Sequence, residues 1–315
     1  MERLSLKLVR DLPSLIDDFC KDCTLRGMTA ETIRRYRSSL LTFTKFLMDK
    51  GLSIREVDNN ILRSFLHHIF EMNVKYKTVE NYFSAISAFY DYLAFEGLTD
   101  ANIILPFRKR YLRRYKNDFD DPERKLLSVE EMSKLVNSIM DPRDKAIATL
   151  FAKTGIRRGE LLKLDIDDVN WREYSIALKP TPKRSNRIVF FDDECAVVLR
   201  WWLSVREKLN PKTKALFLSY QSLNRLDRNG LYTAIVKYAK RLGFHSSDSP
   251  RLEDHFGPHC FRHWFTTWFL RSGMPREYVK ELRGDRRGEA IDIYHHIDKQ
   301  ELRRAYLAYV PKLGL

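Results

Sequence analysis

The first hundred residues carry apolar side chains at three- and four-residue spacing, with few of the strict alternations that are typical of strands. This spacing predicts four helices, over Leu12–Leu25, 29–51, about Asn59–Met72 and 78–97. Thr29 is suited to cap the second helix, and Gly51 follows that helix at a position where helices commonly end. We therefore expect this part of the chain to form a compact helical module.

The length and the charge of the chain indicate two domains and a polyanionic partner. At 315 residues the chain exceeds the usual size of a single domain. Its 56 Lys and Arg residues outnumber 42 Asp and Glu residues, which gives a net charge of +14. A charge of this size attracts nucleic acid by counterion release. The alternative is a protein that is merely basic.

The four cysteines predict neither a metal site nor a redox site. Cys20 and Cys23 form one C-x-x-C in a predicted helix, without the second Cys or His pair of a zinc finger and without a surrounding βαβ pattern. We expect no metal and no cofactor. No signal peptide opens the sequence, and no apolar run approaches the ~20 residues that a bilayer requires. A soluble, cytoplasmic, nucleoid-associated protein without a membrane partner is expected.

Basic side chains lie where two of the predicted helices begin and again where the helical pattern breaks. Residues 106–122 mix arginines and lysines with tyrosines and are predicted to link two domains, 1–105 and 123–315. The basic residues in these places that could contact phosphates are Arg34, Arg35, Lys75, Lys77, Arg108, Lys109, Arg110, Arg113 and Arg114. Solvated helix faces and a solvated connector are the alternative interpretation.

The second domain is predicted to be mainly α with a small antiparallel sheet. Ser128 and Glu131 form a capping box at its start, and Asp141-Pro142 begins a helix that stops at Gly155. Two alternating segments predict a hairpin, Ser175–Leu178 and 187–191. Further helices are predicted at about 194–209, 229–242, 259–271, 275–282, 289–295 and 299–310.

His259 and Arg262 are three residues apart at the predicted start of a helix, directly after Gly257-Pro258. Both side chains therefore project from one face of the first turn, beside the free backbone N–H groups of a helix N-terminus. Such a place suits a phosphate. The alternative is an ordinary exposed pair.

Arg157 and Glu160 supply a second polar pair, after Thr154-Gly155-Ile156. An arginine binds two phosphate oxygens at once with a rigid fork, and Glu160 is placed to hold a guanidinium or to cap a helix. Phosphoryl transfer without a metal needs such groups, because the charge on the non-bridging oxygens must be stabilised in the transition state.

In order and spacing these motifs resemble the tyrosine recombinases, also called the phage integrase family. The motifs are Thr154-Gly-x-Arg157-x-x-Glu160, a lysine on the hairpin, His259-x-x-Arg262-His263, Gly284-Asp285 and a tyrosine nine residues later. The helical first domain looks like the family's SAM-like core-binding domain, so the resemblance covers nearly the whole chain. It implies a DNA breaking-rejoining enzyme fold and double-stranded DNA as the substrate.

The resemblance also implies roles for individual residues. Arg157 and Arg262 would bind the scissile phosphate, and Tyr294 would attack it, forming a 3′-phosphotyrosyl link without ATP or metal. Lys179 would protonate the departing 5′-oxygen, with Lys183 and Arg184 in the same turn as rivals and as DNA contacts. The remaining implied residues are His259 as general base or phosphate ligand and Glu160, His263 and His295 in support.

Asp285 departs from the family pattern, which usually has His or sometimes Trp after this glycine. A carboxylate would be repelled by a phosphate, so it cannot replace that donor directly. Our hypothesis is that Asp285 accepts a hydrogen bond from a neighbouring Arg or His, such as His259, and that His295 or His296 supplies the missing donor. The alternative is that Asp285 caps the helix predicted near 289.

By the same resemblance the chain would act as a dimer on each DNA site and as a tetramer in the synapse. The helix from Lys299 would pack on a neighbouring protomer or within its own chain. The expected function is that of an integrase of a virus, plasmid or other mobile element, of archaeal type. The alternatives are a housekeeping resolvase of chromosome dimers and an architectural DNA-binding protein that has lost the chemistry.

Overall fold

The computed structural model describes residues 12–112, 125–181, 184, 188–249, 251–285 and 297–315. The chain divides into two compact units, Met1–Asp120 and Asp121–Leu315, each with a hydrophobic core. The described residues are mostly helical and include one three-stranded antiparallel sheet, as expected for the fold class. None of the helices in these ranges has the length and apolarity needed to cross a membrane.

The first unit confirms the four helices predicted from apolar spacing and adds a fifth. Thr29 caps the second helix, where its side chain accepts a hydrogen bond from the Thr32 amide. The helices are α1 (Leu12–Leu25), α2 (Ala30–Asp49), α3 (Asn59–Glu71), α4 (Tyr76–Phe95) and α5 (Ile104–Tyr111).

Aromatic side chains fill the core of this unit. Phe19 meets Phe89 edge-on at 5.4 Å between ring centroids, and Phe43 meets Phe65 in the same way at 4.8 Å. All four rings are fully buried. Each ring removes a large apolar area from water, so a few pairs hold the helices together.

Helix α5 corrects the expectation that the linker begins at residue 106. Phe107 is buried and stacks on Phe83 at 5.3 Å and on Tyr111 at 4.5 Å. These contacts fix the helix to the first unit, and its basic residues lie on the surface of that unit. The rest of the expected linker, from residue 113, lies outside the described residues.

The second unit begins with the predicted capping box, in which Ser128 and Glu131 bond each other's backbone N–H groups. Its elements are α6 (Val129–Asn137), α7 (Pro142–Thr154), α8 (Arg158–Leu161), β1 (Val169–Asn170), β2 (Ser175–Ala177), β3 (Ile188–Phe190), α9 (Asp193–Lys208), α10 (Arg228–Arg241), α11 (Pro258–Arg271), α12 (Arg276–Arg283) and α13 (Lys299–Tyr309). The helix predicted at 289–295 falls outside the described residues.

The sheet has the order β1-β2-β3, and both neighbouring pairs are antiparallel. The predicted hairpin is confirmed, with Ile176 opposite Val189. Strand β1 was not predicted, because two residues are too few to show an alternating pattern.

Helix α7 lies at the centre of the second core and packs against both α9 and α11. It ends at Gly155, whose φ of +59° is the left-handed conformation that favours glycine. A Cβ at this position would lie 2.6 Å from a ring carbon of Phe265 in α11. Glycine is therefore required both by the backbone and by the close approach of the two helices.

Helix α13 packs within its own chain, which is one of the two arrangements considered for it. Leu302 and Tyr306 join a cluster with Phe190, Phe265 and Phe269. The Tyr306 hydroxyl donates to the Lys153 carbonyl at 3.0 Å, and the buried Lys153 ammonium is 2.8 Å from an Asp192 carboxylate oxygen. The end of the chain is thus fixed to the last turn of α7, just before the Arg157 motif.

Candidate active site

Arg157 lies at the start of α8, immediately after the turn that ends α7. Its backbone N–H donates to Glu160 Oε2 at 2.7 Å, and its Nη1 donates to Glu160 Oε1 at 3.0 Å. The Glu160 carboxylate is buried, whereas about a quarter of the Arg157 side chain, 27%, is exposed. Glu160 therefore holds the guanidinium from behind and leaves its other edge accessible.

Arg262 projects from the first turns of α11 and is almost buried. Its Nη1 donates to the Gly155 carbonyl at 2.8 Å and its Nη2 to the Arg283 carbonyl at 3.0 Å. Burial, assisted by the neighbouring positive charges of Arg157 and Arg283, lowers the pKa of Arg262 to about 10. The side chain remains a cation at neutral pH and lies where a further anion would be stabilised.

Asp285 joins the two arginines through a single oxygen. Its Oδ1 lies 3.0 Å from Arg262 Nη2 and 3.7 Å from Arg157 Nη2. Its Oδ2 lies 3.1 Å from Arg283 Nε, and this contact is an ion pair without hydrogen-bond geometry. The hypothesis for Asp285 allowed an Arg or a His as the donor, and the structure gives Arg262 as a donor to its carboxylate. The alternative cap near residue 289 lies outside the described residues.

Arg184 is buried, with 2% of its side chain exposed, and this corrects the expectation that it contacts DNA or rivals Lys179. Its Nη2 donates to the Leu282 carbonyl at 2.6 Å and its Nη1 to Glu160 Oε2 at 3.3 Å. Burial lowers its pKa, and the Glu160 charge opposes that shift. Arg184 therefore links the hairpin loop to Glu160 and to the end of α12.

Gly284 makes this packing possible. Its φ is +60°, and a Cβ there would lie 2.3 Å from Arg184 Cγ. The glycine of the Gly284-Asp285 motif thus allows the aliphatic part of the Arg184 side chain to pack directly on the backbone. Because Gly284 is fixed, the backbone that carries Asp285 is fixed with it.

Lys179 follows β2, and its ammonium group forms ion pairs with two carboxylates. Its Nζ lies 2.7 Å from Asp168 Oδ1 and 3.2 Å from Asp165 Oδ2. Hydrogen bonds to Asp168 and Asp165 raise the pKa of Lys179, so it is fully protonated at neutral pH. Its rival Lys183 lies outside the described residues.

The two histidines of the α11 motif are exposed, and both make interactions with other groups. His259 is the second residue of α11, beside the backbone N–H groups of the helix start. The side chains of Tyr294, His295 and His296 belong to the stretch 286–296, outside the described residues.

Most of the basic residues expected to contact phosphates in the first unit are exposed. Arg34 pairs with Glu31, Lys77 lies 2.7 Å from a Glu80 oxygen, and the partly buried Arg108 donates to Ser84 Oγ at 2.9 Å. The other exposed ones are Arg35, Lys75, Lys109 and Arg110, while Arg113 and Arg114 lie outside the described residues.

The described part of the chain contains no group of three or more His, Cys, Asp or Glu residues arranged to hold a metal ion. Cys20 and Cys23 lie on α1 as free thiols, and burial raises the pKa of both.

Arginines that converge on one carboxylate, in a mainly helical unit with a small sheet, form a site whose chemistry suits an anion. Residues 125–301 match the Phage integrase family, and residues 16–97 match the Phage integrase, N-terminal SAM-like domain. The first match alone spans more than half of the chain, so the chain belongs to the phage integrase family, the tyrosine recombinases. It is a tyrosine recombinase enzyme by this membership.

The similarity to other proteins extends over nearly the whole chain. Tyrosine recombinase XerC of Oceanobacillus iheyensis is 30% identical, covering 96% of this chain and 98% of the relative. XerC of Haemophilus influenzae is 28% identical over 89% of this chain and 91% of the relative. XerD of Staphylococcus epidermidis is 24% identical over 91% of this chain and 95% of the relative.

Solved structures of lower identity share the fold. The Tn1549 transposon integrase in complex with circular intermediate DNA has a TM-score of 0.67 and 17% identity, covering 92% of this chain and 98% of that one. XerH recombinase bound to a palindromic difH substrate has a TM-score of 0.66 and 22% identity, covering 95% and 85%. A lambda integrase dimer bound to a core site has a TM-score of 0.64 and 15% identity, covering 91% and 98%.

Replacing Arg184 with alanine is expected to destabilise the second unit. The change removes one partner of the buried Glu160 and the donor to the Leu282 carbonyl, so we expect the free energy of unfolding to fall by about 3 kcal/mol. All five tryptophans belong to this unit, so tryptophan fluorescence during urea denaturation reports on its unfolding. The exposed Arg276→Ala is the control and should change stability by less than about 0.5 kcal/mol. Equal losses in the two variants would contradict the buried linking role.

Proposed function

We propose that the chain cleaves and rejoins double-stranded DNA through a 3′-phosphotyrosyl intermediate on Tyr294. The observation that carries this proposal is the convergence of Arg157 and Arg262, from separate helices, on the single oxygen Asp285 Oδ1. Two guanidiniums that meet on one oxygen of a carboxylate are placed to bind two oxygens of a phosphate.

In this mechanism the arginines stabilise charge that develops on the non-bridging oxygens, and no metal is needed for that step. The Tyr294 hydroxyl gives its proton to a general base, for which His259 is the candidate, and its oxygen attacks the phosphorus. The bond from tyrosine to the 3′-phosphate forms as the bond to the 5′-oxygen breaks. Lys179 gives its proton to that oxygen, so a 5′-hydroxyl leaves. Because the phosphotyrosyl link keeps the bond energy, the reverse steps rejoin DNA without ATP.

His259, with His263 and His295 in support, would complete the site as general base or phosphate ligand. His259 stands at the N-terminus of α11, where backbone N–H groups favour an anion. Glu160 is proposed to act through Arg157, because it holds the guanidinium in place.

Double-stranded DNA is the proposed partner of both units. The net charge of +14 supports it, as does the DNA present in the structures of Tn1549 integrase, XerH and lambda integrase. The first unit would act as a clamp through the exposed Arg35, Lys75 and Lys109, and the family resemblance suggests a dimer on each site and a tetramer in the synapse.

Within the family, resolution of chromosome dimers is the better supported role, ahead of integration of a mobile element. The relatives that match this chain along nearly their whole length are named tyrosine recombinases XerC and XerD. The likeness to integrases concerns structures below 25% identity and does not favour integration over resolution.

Tyr294→Phe should abolish a covalent protein–DNA band that the unaltered enzyme forms. The substrate is a nicked suicide duplex whose site has been selected by binding from a random pool, and the band is seen on a denaturing gel. Tyr309→Phe removes a hydroxyl elsewhere in the unit and should keep the band. A band that persists without the Tyr294 hydroxyl would contradict the assignment, and no band from the unaltered enzyme would favour the architectural alternative.

Sulfur in place of the bridging 5′-oxygen should identify the proton donor. Lys179→Ala should slow cleavage of the normal duplex by about 100-fold or more, the usual contribution of general acid catalysis. A thiolate leaves without a proton, so cleavage of the sulfur-containing duplex should return close to the unaltered rate. Lys183→Ala should be nearly normal on both duplexes, and the opposite result would transfer the role to Lys183.

Two plasmid substrates distinguish dimer resolution from integration. One carries two identical copies of the selected site, and the other carries two different sites. A chromosome dimer carries two copies of one site, so a resolvase should recombine two identical copies of the selected site. Gel analysis of the plasmid products measures this reaction. Recombination only between two different sites would favour the mobile-element role instead.

A further inference from the structure

We propose that Asp285 is a built-in competitor of the scissile phosphate, whose carboxylate occupies the oxygen position between Arg157 and Arg262 until DNA displaces it. This inference rests on the proposed function, because it concerns the same phosphate site. It assigns to Asp285 control over which anions the two arginines accept.

The backbone places Asp285 at this position independently of its side chain. The Gly284 N–H donates to the Glu281 carbonyl at 2.8 Å, and the Asp285 N–H donates to the Lys280 carbonyl at 3.2 Å. These bonds close the last turn of α12. Arg184 packs against Gly284, so the backbone of Asp285 is held in place and its carboxylate contacts the arginines directly.

The end of α12 is an unfavourable place for a carboxylate, because the free carbonyls at a helix C-terminus carry partial negative charge. Asp285 is nevertheless held there by three cations, Arg157, Arg262 and Arg283. Its location is therefore explained by the arginines and not by capping of α12.

Without an added anion, the guanidiniums of this site repel one another. Glu160 neutralises Arg157 and Arg184 on the buried side, and Asp285 neutralises Arg157, Arg262 and Arg283 on the accessible side. A third of the Asp285 side chain, 33%, is exposed, so an incoming anion can reach it. When a phosphate takes the same position, two negative charges compete for the same donors.

A single anion such as inorganic phosphate gains little from this site, so it replaces the tethered carboxylate only at high concentration. A duplex held along its length by the rest of the protein supplies the additional binding free energy. Asp285 would thus restrict the arginine pair to phosphodiesters that the whole protein has bound.

The test varies two charges independently, that of residue 285 and that of the scissile phosphate. Asp285→Asn keeps the shape and the acceptor oxygen but removes the charge, and a methylphosphonate at the scissile position removes the charge of the phosphate. Both proteins carry Tyr294→Phe, and fluorescence anisotropy measures the affinity for each selected duplex. Asp248→Asn, an exposed position of the same unit, controls for the change in net charge.

We expect Asp285→Asn to bind the phosphodiester duplex about tenfold more tightly, the scale of a partly screened charge repulsion, and to bind the methylphosphonate with little change. Inorganic phosphate should compete with duplex binding at about tenfold lower concentration in Asp285→Asn than in the control. An equal effect on both duplexes, or weaker binding of the phosphodiester, would overturn the proposal. The binding assay needs no chemistry, so its failure is separate from a failure of Tyr294 to form a covalent band.

Discussion

Four neighbouring arginines repel one another, and this repulsion is the constraint that the packing around the site has to satisfy. They are Arg157, Arg184, Arg262 and Arg283. Buried guanidiniums lose much of their hydration, and each needs compensation from carboxylates or carbonyls. Glu160 bonds Arg157 and Arg184, and main-chain carbonyls at the ends of α7 and α12 accept hydrogen bonds from Arg262 and Arg184. Asp285 pairs with Arg283 as well as with Arg157 and Arg262. The site is consequently an ion network in which each group holds its neighbours, and a change at one member alters the rest.

Regular secondary structure gives this network its rigidity. Helix α7 is buried along its length and delivers Arg157 from its end, while α11 approaches it so closely that residue 155 must be glycine. The C-terminal segment is fixed to the same turn through Tyr306 and the buried Lys153. Arginines that come from such well-packed elements are held in place by the protein itself, and the proposed transition-state stabilisation requires this kind of preorganisation.

Local sequence signals predicted the features that depend on local interactions. The caps at Thr29 and Ser128 marked helix starts correctly, because a cap bonds backbone groups within one turn. Helix α5 was missed because its short pattern is dominated by basic residues, and its helicity depends on packing of Phe107. The spacing of the motifs pointed to Arg157 and Arg262. The burial of Arg184 and the hydrogen bond from Arg262 to the Arg283 carbonyl depend on contacts between distant segments, which local spacing does not reveal.

The fixed backbone at Gly284 has an evolutionary consequence. The stem of Arg184 and the closing turn of α12 set where residue 285 begins, whatever side chain that residue carries. Families can therefore exchange a donor for an acceptor at this one position without rebuilding the surrounding chain. A single substitution at residue 285 would therefore change the charge that faces the arginines while the surrounding backbone stays as it is.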